Sequence, residues 1–297
     1  MAIADRRQKL LPGDAARLLA MHADRVTQIR LRAERPVLLA GCGFEAVGDA
    51  PLSAEALRRV LAALMEYSLY ARQQELDDGF FTLEDGSRVG VCGRMHEEGG
   101  RLRMEEVGSA CIRVARAVPG CAEALATLMD GEGGLRSTLL ASLPGMGKTT
   151  LLRDLARCLS GRGYSVAIAD ERHELAACRQ GAPTLDVGLR TDVMDGCPRG
   201  EAIGRMIRAM APQVIVADEI GGAADAAALA DAARCGVAVA ASAHAGRFDE
   251  LKDRACLRAI LDSGALQRVV FLGERPGRIC EVWRRRIGEG ESAWERA

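Results

Sequence analysis

Apolar and polar residues follow one rhythm up to about residue 118 and another beyond it. In TQIRLRAERPVLLA (27–40) apolar residues alternate with polar ones, which predicts two short strands around a turn at Glu34-Arg35-Pro36. Ser53 opens a predicted helix whose apolar residues, Leu57, Val60, Leu61 and Leu64, fall at helical spacing. A second helix is expected to run to Asp78, with Gly79 as its stop. The run FFTLEDGSRVGVCGR (80–94) reads as two strands joined through Asp85-Gly86. Gly99-Gly100 marks another turn, and CIRVARAV (111–118) alternates as a half-buried strand does. Residues 1–118 are therefore expected to form a small α+β domain.

Pro119-Gly120 is the expected boundary. A helix (Ala122–Met129) and a Gly-rich turn (131–134) follow, and strand–helix alternation then takes over. Strands are predicted at 137–142, 165–169, 213–217, 236–242 and 268–272, with helices between most of them. That order predicts a doubly wound, mainly parallel α/β sheet over residues 119–286. RVVFL and RICEVWR read as a closing hairpin across Arg275-Pro276-Gly277, and residues 287–297 as a loose, charged tail.

The composition excludes several classes. Hydrophobic residues make up 48% of the 297, enough for two real cores. A net charge of −1 and 3% aromatic residues argue against a nucleic-acid groove. No apolar run is long enough for a membrane span, and the N-terminus shows no signal-peptide core. The ten cysteines are scattered from Cys42 to Cys280 without a C-x-x-C pair. They are expected to be reduced core residues of a cytosolic protein rather than disulfides or metal ligands.

The stretch SLPGMGKTT (142–150) has the end of the phosphate-loop pattern G-x-x-x-x-G-K-[ST], with Ser142 in place of the first glycine. A small residue serves where the chain leaves a strand, so Ser142 is a tolerable departure. STLLAS supplies the strand before the loop. The helix after it carries Leu151, Leu152, Leu155 and Leu159 on one face. Ser142, Leu143, Pro144, Gly145, Met146, Gly147, Lys148, Thr149 and Thr150 are the candidate nucleotide-binding residues. Lys148 is expected at the β- and γ-phosphates and Thr149 on Mg²⁺. The apolar strand QVIVADEI (213–220) ends in two acids, Asp218 for Mg²⁺ and Glu219 to polarise the attacking water. The chain contains no Asn, so the Asn-Lys-x-Asp guanine reader is excluded and ATP is the expected nucleotide. The fold expected for this region is a RecA-like P-loop ATPase domain.

Two further strand ends, AIADERHE (167–174) and AASAHAG (240–246), complete an ordered set. The set resembles the secretion-type ATPases of type II and type IV secretion and of pilus motors, which carry an acidic box and a histidine box. By that resemblance Glu171 and Glu174 match the acidic box and His244 the histidine box, which makes them candidate catalytic residues beside Glu219. A closer resemblance covers nearly the whole chain. IRLRAERP, EYSLYARQQELDDGFFTLEDGSRVGVCGR, KTTLLRDLAR, DERHELAA, DVGLRTDVMDGCPR, VIVADEIGG and SAHA are similar to the stage III sporulation protein AA family.

That resemblance implies ATP hydrolysis with Mg²⁺ and self-assembly into a ring, expected to be a hexamer. It also implies membrane-protein partners in a channel complex between mother cell and forespore. The location implied is the mother-cell cytoplasm, at the membrane through those partners, with no nucleic-acid ligand. The chain departs from many secretion ATPases in having Asp218 before Glu219, where they have Gly. The acidic box is left with two readings, Glu174 orienting water or Glu171 and Arg172 forming a buried pair. His244 is expected to sense the γ-phosphate. The alternating arginines Arg30, Arg32, Arg94, Arg113 and Arg116 read mostly as solvent-facing, with one of them open as a cation for a neighbour's site. The segment 186–199 reads as a polar loop, either a flexible surface loop or a pore or subunit-contact loop. His22 and His96 read as surface residues. A RecA-like ATPase acting on nucleic acid and a nucleotide-gated scaffold without turnover are the competing functions.

Overall fold

Ile29 and Leu31 face one side of strand β1 (Val26–Arg32) and are fully buried, while Arg30 between them is exposed. This period of two organises the first of two compact units, Met1–Ala115; the second is Arg116–Ala297. The computed structural model describes residues 10–286 and 294–297, except 24, 42, 66–72, 84, 115, 116 and 179.

In the first unit β1 joins β2 (Arg35–Gly41), β3 (Phe44–Leu52), β4 (Phe80–Thr82), β5 (Arg88–Glu98) and β6 (Arg101–Arg113). They form an antiparallel sheet in the order β3-β2-β1-β6-β5-β4. Helix Ala54–Leu64 lays Leu57, Val60 and Leu61 on that sheet, and the Ser53 Oγ accepts from the Ala56 N–H at 3.1 Å, as its N-terminal position predicts. Helix Gln73–Asp77 stops before Gly79, whose φ of 82° suits glycine. The strand predicted at 111–118 is the end of β6, which begins at Arg101 and stops at Arg113. Strand β3 had no prediction. Arg30, Arg94 and Arg113 are exposed and Arg32 is half-buried, and Arg116 lies outside the described residues. His22 is no free surface residue, because its ring lies 4.5 Å from that of Phe44, whereas His96 is exposed.

The second unit opens with helix Glu123–Met129 and the small hairpin of β7 (Asp130–Gly131) and β8 (Gly134–Leu135). Its main strands are β9 (Thr138–Ser142), β10 (Val166–Asp170), β11 (Thr191–Asp195), β12 (Val214–Ala217), β13 (Ala238–His244), β14 (Arg268–Leu272), β15 (Ile279–Arg285) and β16 (Trp294–Arg296). Their order is β11-β10-β12-β13-β9-β14-β15-β16, parallel from β11 to β14 and antiparallel at the last two. Helices Lys148–Gly161, Arg199–Met210, Ala223–Arg234, Phe248–Asp253 and Ala255–Ser263 cover the sheet.

Both faces of the sheet are buried at β9, β10, β12 and β13, which is why these strands read as apolar runs. Leu139, Ile215 and Val239 pack against Ile203, Leu229 and Ile260 on one face. Leu140, Val216 and Val270 pack against Leu151, Leu155 and Leu159 on the other.

Three expectations need correction. The segment 186–199 is not all loop, since β11 pairs in parallel with β10 as the sheet edge. The end of the tail is not loose, since β16 pairs with β15 and Trp294 packs on Phe248 at 5.7 Å between ring centres; residues 287–293 lie outside the described residues. The cysteines are mostly not core. Of the nine described, only Cys158 is buried, and Cys92, Cys235 and Cys280 are exposed. Cys42 lies outside the described residues.

The Trp294 Nε1–H is buried without an acceptor. Trp294→Phe keeps the apolar contact and removes that donor, so it is expected to unfold in urea at the wild-type midpoint or above. Trp294→Ala is expected to lose about 2 kcal/mol, below the range for a fully buried aromatic because Trp294 is only half-buried.

Candidate nucleotide and metal site

The carboxyl ends of β9, β12 and β13 lie side by side, and the candidate residues leave the sheet there. Parallel register sets Ser142 beside His244 and Ala217 beside Ala241. The loop after Ser142 exposes Leu143, Pro144 and Gly145 on its crest and turns back through Met146 and Gly147. Gly145 and Gly147 have φ of 78° and 84°, a region that penalises any side chain. At Gly147 a Cβ would also meet the Gly277 nitrogen at 3.3 Å. The Gly277 N–H donates to the Met146 carbonyl at 2.9 Å, so the predicted turn Arg275-Pro276-Gly277 braces the loop.

Helix Lys148–Gly161 begins at the loop's end, where its first N–H groups lack partners within the helix. These N–H groups and the helix dipole favour an anion. Thr150 lies in this first turn.

Lys148 is 6% exposed. Its ammonium donates to the Ser142 carbonyl (3.2 Å), the Ser142 Oγ (3.2 Å), the Leu143 carbonyl (3.4 Å) and the His244 Nδ1 (3.0 Å). Burial pushes its pKa below the usual lysine range, and the charges of Asp218 and Glu219 oppose that shift. An ammonium only donates, so His244 accepts at Nδ1 and carries its ring proton on Nε2. That Nε2 lies 3.2 Å from the Glu219 Oε1.

Asp218 sits between two hydroxyls. The Thr149 Oγ1 is 2.5 Å from its Oδ2, and the Ser242 Oγ bonds its Oδ1. Ser242 also accepts from the Glu219 N–H at 2.8 Å. Glu219 has φ of 55°, a conformation rare for a residue with a side chain, and such strain collects at functional sites. Its other carboxylate oxygen pairs with Arg172.

The acidic box wraps around a carboxylate outside the predicted set. Asp170, buried at the end of β10, accepts from the N–H groups of Glu174 (2.8 Å), Leu175 (3.1 Å) and Ala176 (2.8 Å). Arg153, from the phosphate-loop helix, donates to the carbonyls of Leu175 (2.6 Å) and Glu174 (2.5 Å). Glu171, Glu174, Asp218 and Glu219 line one small hollow together.

The expected buried pair of Glu171 with Arg172 does not form. Arg172 is 55% exposed and turns to Glu219, while Glu171 pairs with Arg199 at 3.1 Å. Arg199 is 8% exposed and also meets Asp225 at 3.1 Å. Asp225 in turn accepts from the N–H groups of Gly221 (3.2 Å) and Gly222 (3.1 Å), just after Glu219. One buried guanidinium thus ties the acidic box to the loop following β12. Arg190, by contrast, bonds Ser160 at the far end of the phosphate-loop helix, with its N–H at 2.7 Å from the Ser160 Oγ.

The donor set fits a nucleotide and its metal. Thr149 and Asp218 offer hard oxygens at touching distance, as Mg²⁺ prefers, beside a buried cation and a helix N-terminus.

Residues 4–289 match the family described as sporulation stage III, protein AA. The chain is 37% identical to the stage III sporulation protein AA of Bacillus subtilis (strain 168), over 87% of this chain and 86% of that one. The chain belongs to the sporulation stage III protein AA family. Its fold is that of the secretion ATPases. The structure of the Legionella pneumophila ATPase DotB aligns over 96% of this chain and 80% of that one, with a TM-score of 0.60 and 14% identity. The pilus retraction motor PilT, solved with bound ADP, aligns over 94% and 81%, with a TM-score of 0.57 and 15% identity. The expected α/β class, a mainly parallel sheet that follows a small α+β unit along the chain, is the class found.

Asp170, Ser242, Arg153 and Arg199 escaped the sequence reading. Asp170 and Ser242 stand inside the quoted motifs ADERHE and SAHA, so their signal was position at a strand end. Arg199 has no local signal, because its partners lie far away in the chain.

Arg199→Gln leaves Asp225 buried without its cation. Breaking a buried pair this way costs about 3–5 kcal/mol, and we expect about 3 because Glu171, 39% exposed, can rehydrate. Urea unfolding of the variant measures it.

Proposed function

We propose that this chain is a Mg²⁺-dependent ATPase that powers or assembles a channel complex between mother cell and forespore during endospore formation. The observation that carries the reading is the meeting of Lys148, Thr149, Asp218, Glu219 and His244 at three adjacent strand ends. The Bacillus subtilis relative's name and the motor and ATPase names of the structural neighbours support it.

In this reading Lys148 turns from the Ser142 carbonyl and His244 to the β- and γ-phosphates, while the loop N–H groups bind the remaining oxygens. Thr149 and Asp218 hold Mg²⁺, with Ser242 fixing the Asp218 rotamer. Mg²⁺ supplies charge neutralisation at the phosphate oxygens. Glu219 takes the proton of the attacking water once Arg172 and His244 release its oxygens. Arg172 and His244 then both face the γ-phosphate, His244 through its Nε2–H. Glu171 and Glu174 line the approach for water.

The active form is a ring, a hexamer, in which a neighbouring subunit adds a further cation. Its contacts at the membrane run through membrane proteins of the channel complex, on the cytoplasmic side of the mother cell. Among the described residues no helix is long and apolar enough to cross a membrane.

Two variants test the reading. Lys148→Ala is expected to abolish ATP binding by calorimetry, and wild-type affinity would move the nucleotide site elsewhere. Glu219→Gln is expected to bind ATP normally and to release phosphate about a hundredfold more slowly, the usual scale for a lost general base. Full turnover in Glu219→Gln would transfer that role to Glu171 or Glu174.

A further inference from the structure

Three arginines meet at the opposite end of the second sheet. Arg268 opens β14, beside Thr138 of β9 and directly across from Arg284 of β15. Opposed residues of an antiparallel pair share a face, so both guanidiniums stand on the side of Val270 and Val282. Arg136 leads into β9, and its Nη2 donates to the Glu132 carbonyl at 2.9 Å. The five residues of β9 separate this cluster from Ser142 by roughly 15 Å, at the usual rise per strand residue.

Among the described residues no carboxylate oxygen comes within 4.0 Å of any of the three guanidiniums. Two nearby acids are engaged elsewhere. Asp130 binds Tyr164 (2.7 Å) and Arg162 (3.4 Å), and Glu295, across from Arg284, pairs with Arg286 at 3.2 Å. Burial and then the charges of Arg136 and Arg284 lower the pKa of Arg268, so both arginines act on it electrostatically. The Arg268 Nη1 is buried and meets no acceptor. A buried donor without a partner, among like charges, favours an anion as its partner.

We propose that Arg136, Arg268 and Arg284 form a binding site for a phosphate-type oxyanion, separate from the nucleotide loop. Planar guanidiniums match the paired oxygens of a phosphate, and three of them around one group give the bidentate contacts a single ammonium cannot. Arg284 is exposed, so the cluster is open to solvent on its side. An open cleft of about 820 Å³ begins at Arg136 and runs past Leu135, Tyr164, Ile207, Val237 and Gln267. It has room for the body of a phosphorylated molecule. The phosphate comes free in solution or on a lipid headgroup.

The test uses the full chain carrying Lys148→Ala, which silences the nucleotide loop. Inorganic pyrophosphate is titrated by calorimetry, and vesicles of phosphatidylglycerol or of phosphatidylcholine are tested by co-sedimentation. At least one anionic probe is expected to bind saturably and to lose about tenfold or more in affinity in Arg268→Gln and in Arg284→Gln, the scale of a lost charge-assisted hydrogen bond. Binding of pyrophosphate without vesicles assigns a free anion, and binding of phosphatidylglycerol but not phosphatidylcholine vesicles assigns a headgroup. Arg284 is exposed, so Arg284→Gln reports on the site even if Arg268→Gln fails to fold. In the Lys148 background, no saturable binding of either probe, or undiminished binding in Arg284→Gln, overturns the proposal. ATP turnover by Arg284→Gln in the otherwise native chain is expected to be unchanged.

Discussion

Lys148 is a buried cation held only by neutral acceptors. Among the described residues its ammonium touches two carbonyls, a hydroxyl and an imidazole, and no carboxylate. Taking a charge out of water is costly unless an opposite charge meets it. Asp218 and Glu219 act on it only from a distance. The rest of the site is arranged around that unmet charge. The glycines at 145 and 147 bring backbone N–H groups to the same place, and the imidazole passes its influence on to Glu219 through a defined tautomer. A polyanion with its metal would complete such a site.

The second level of order is how the strand ends are locked to one another. Ser242, one strand over, fixes both the Asp218 carboxylate and the Glu219 N–H. Arg153 clamps the acidic box from the phosphate-loop helix, and Arg199 clamps it to the loop after Glu219 through Asp225. Each motif thus depends on a side chain from another. The strand ends are thus linked through these side chains.

The legible parts of the chain were those with a local physical signature. Gly147, Lys148 and Thr149 stand out because a phosphate loop demands positive φ and a cation within a few residues. The helix after Ser53 and the turns at Gly79 and Asp85-Gly86 are likewise written in caps and glycines. Among the unread strands, β3, β11 and β16 are all sheet edges. FEAVGDAPL of β3 carries glycine, proline and acids, and β11 (TDVMD) has no fully buried residue. Edge strands need not alternate cleanly, because one flank meets water. The ion pairs were illegible for a different reason. Arg172 sits next to Glu171 in sequence but bonds Glu219, and Glu171 reaches Arg199, because the sheet order rather than spacing along the chain decides which strand ends meet.

The central claim, that Lys148 is a buried ammonium awaiting phosphate, has a direct readout. The chain contains only three lysines, Lys9, Lys148 and Lys252. Nitrogen-15 NMR of side-chain-labelled lysine therefore gives three ammonium signals, each assignable by a single Lys→Arg substitution. Titrated with pH in the absence of nucleotide, the Lys148 signal should have a midpoint below the usual lysine range. Adding ATP with Mg²⁺ should move that signal and raise its midpoint, leaving the other two in place. A Lys148 signal that titrates like an ordinary lysine and does not respond to ATP would contradict the account.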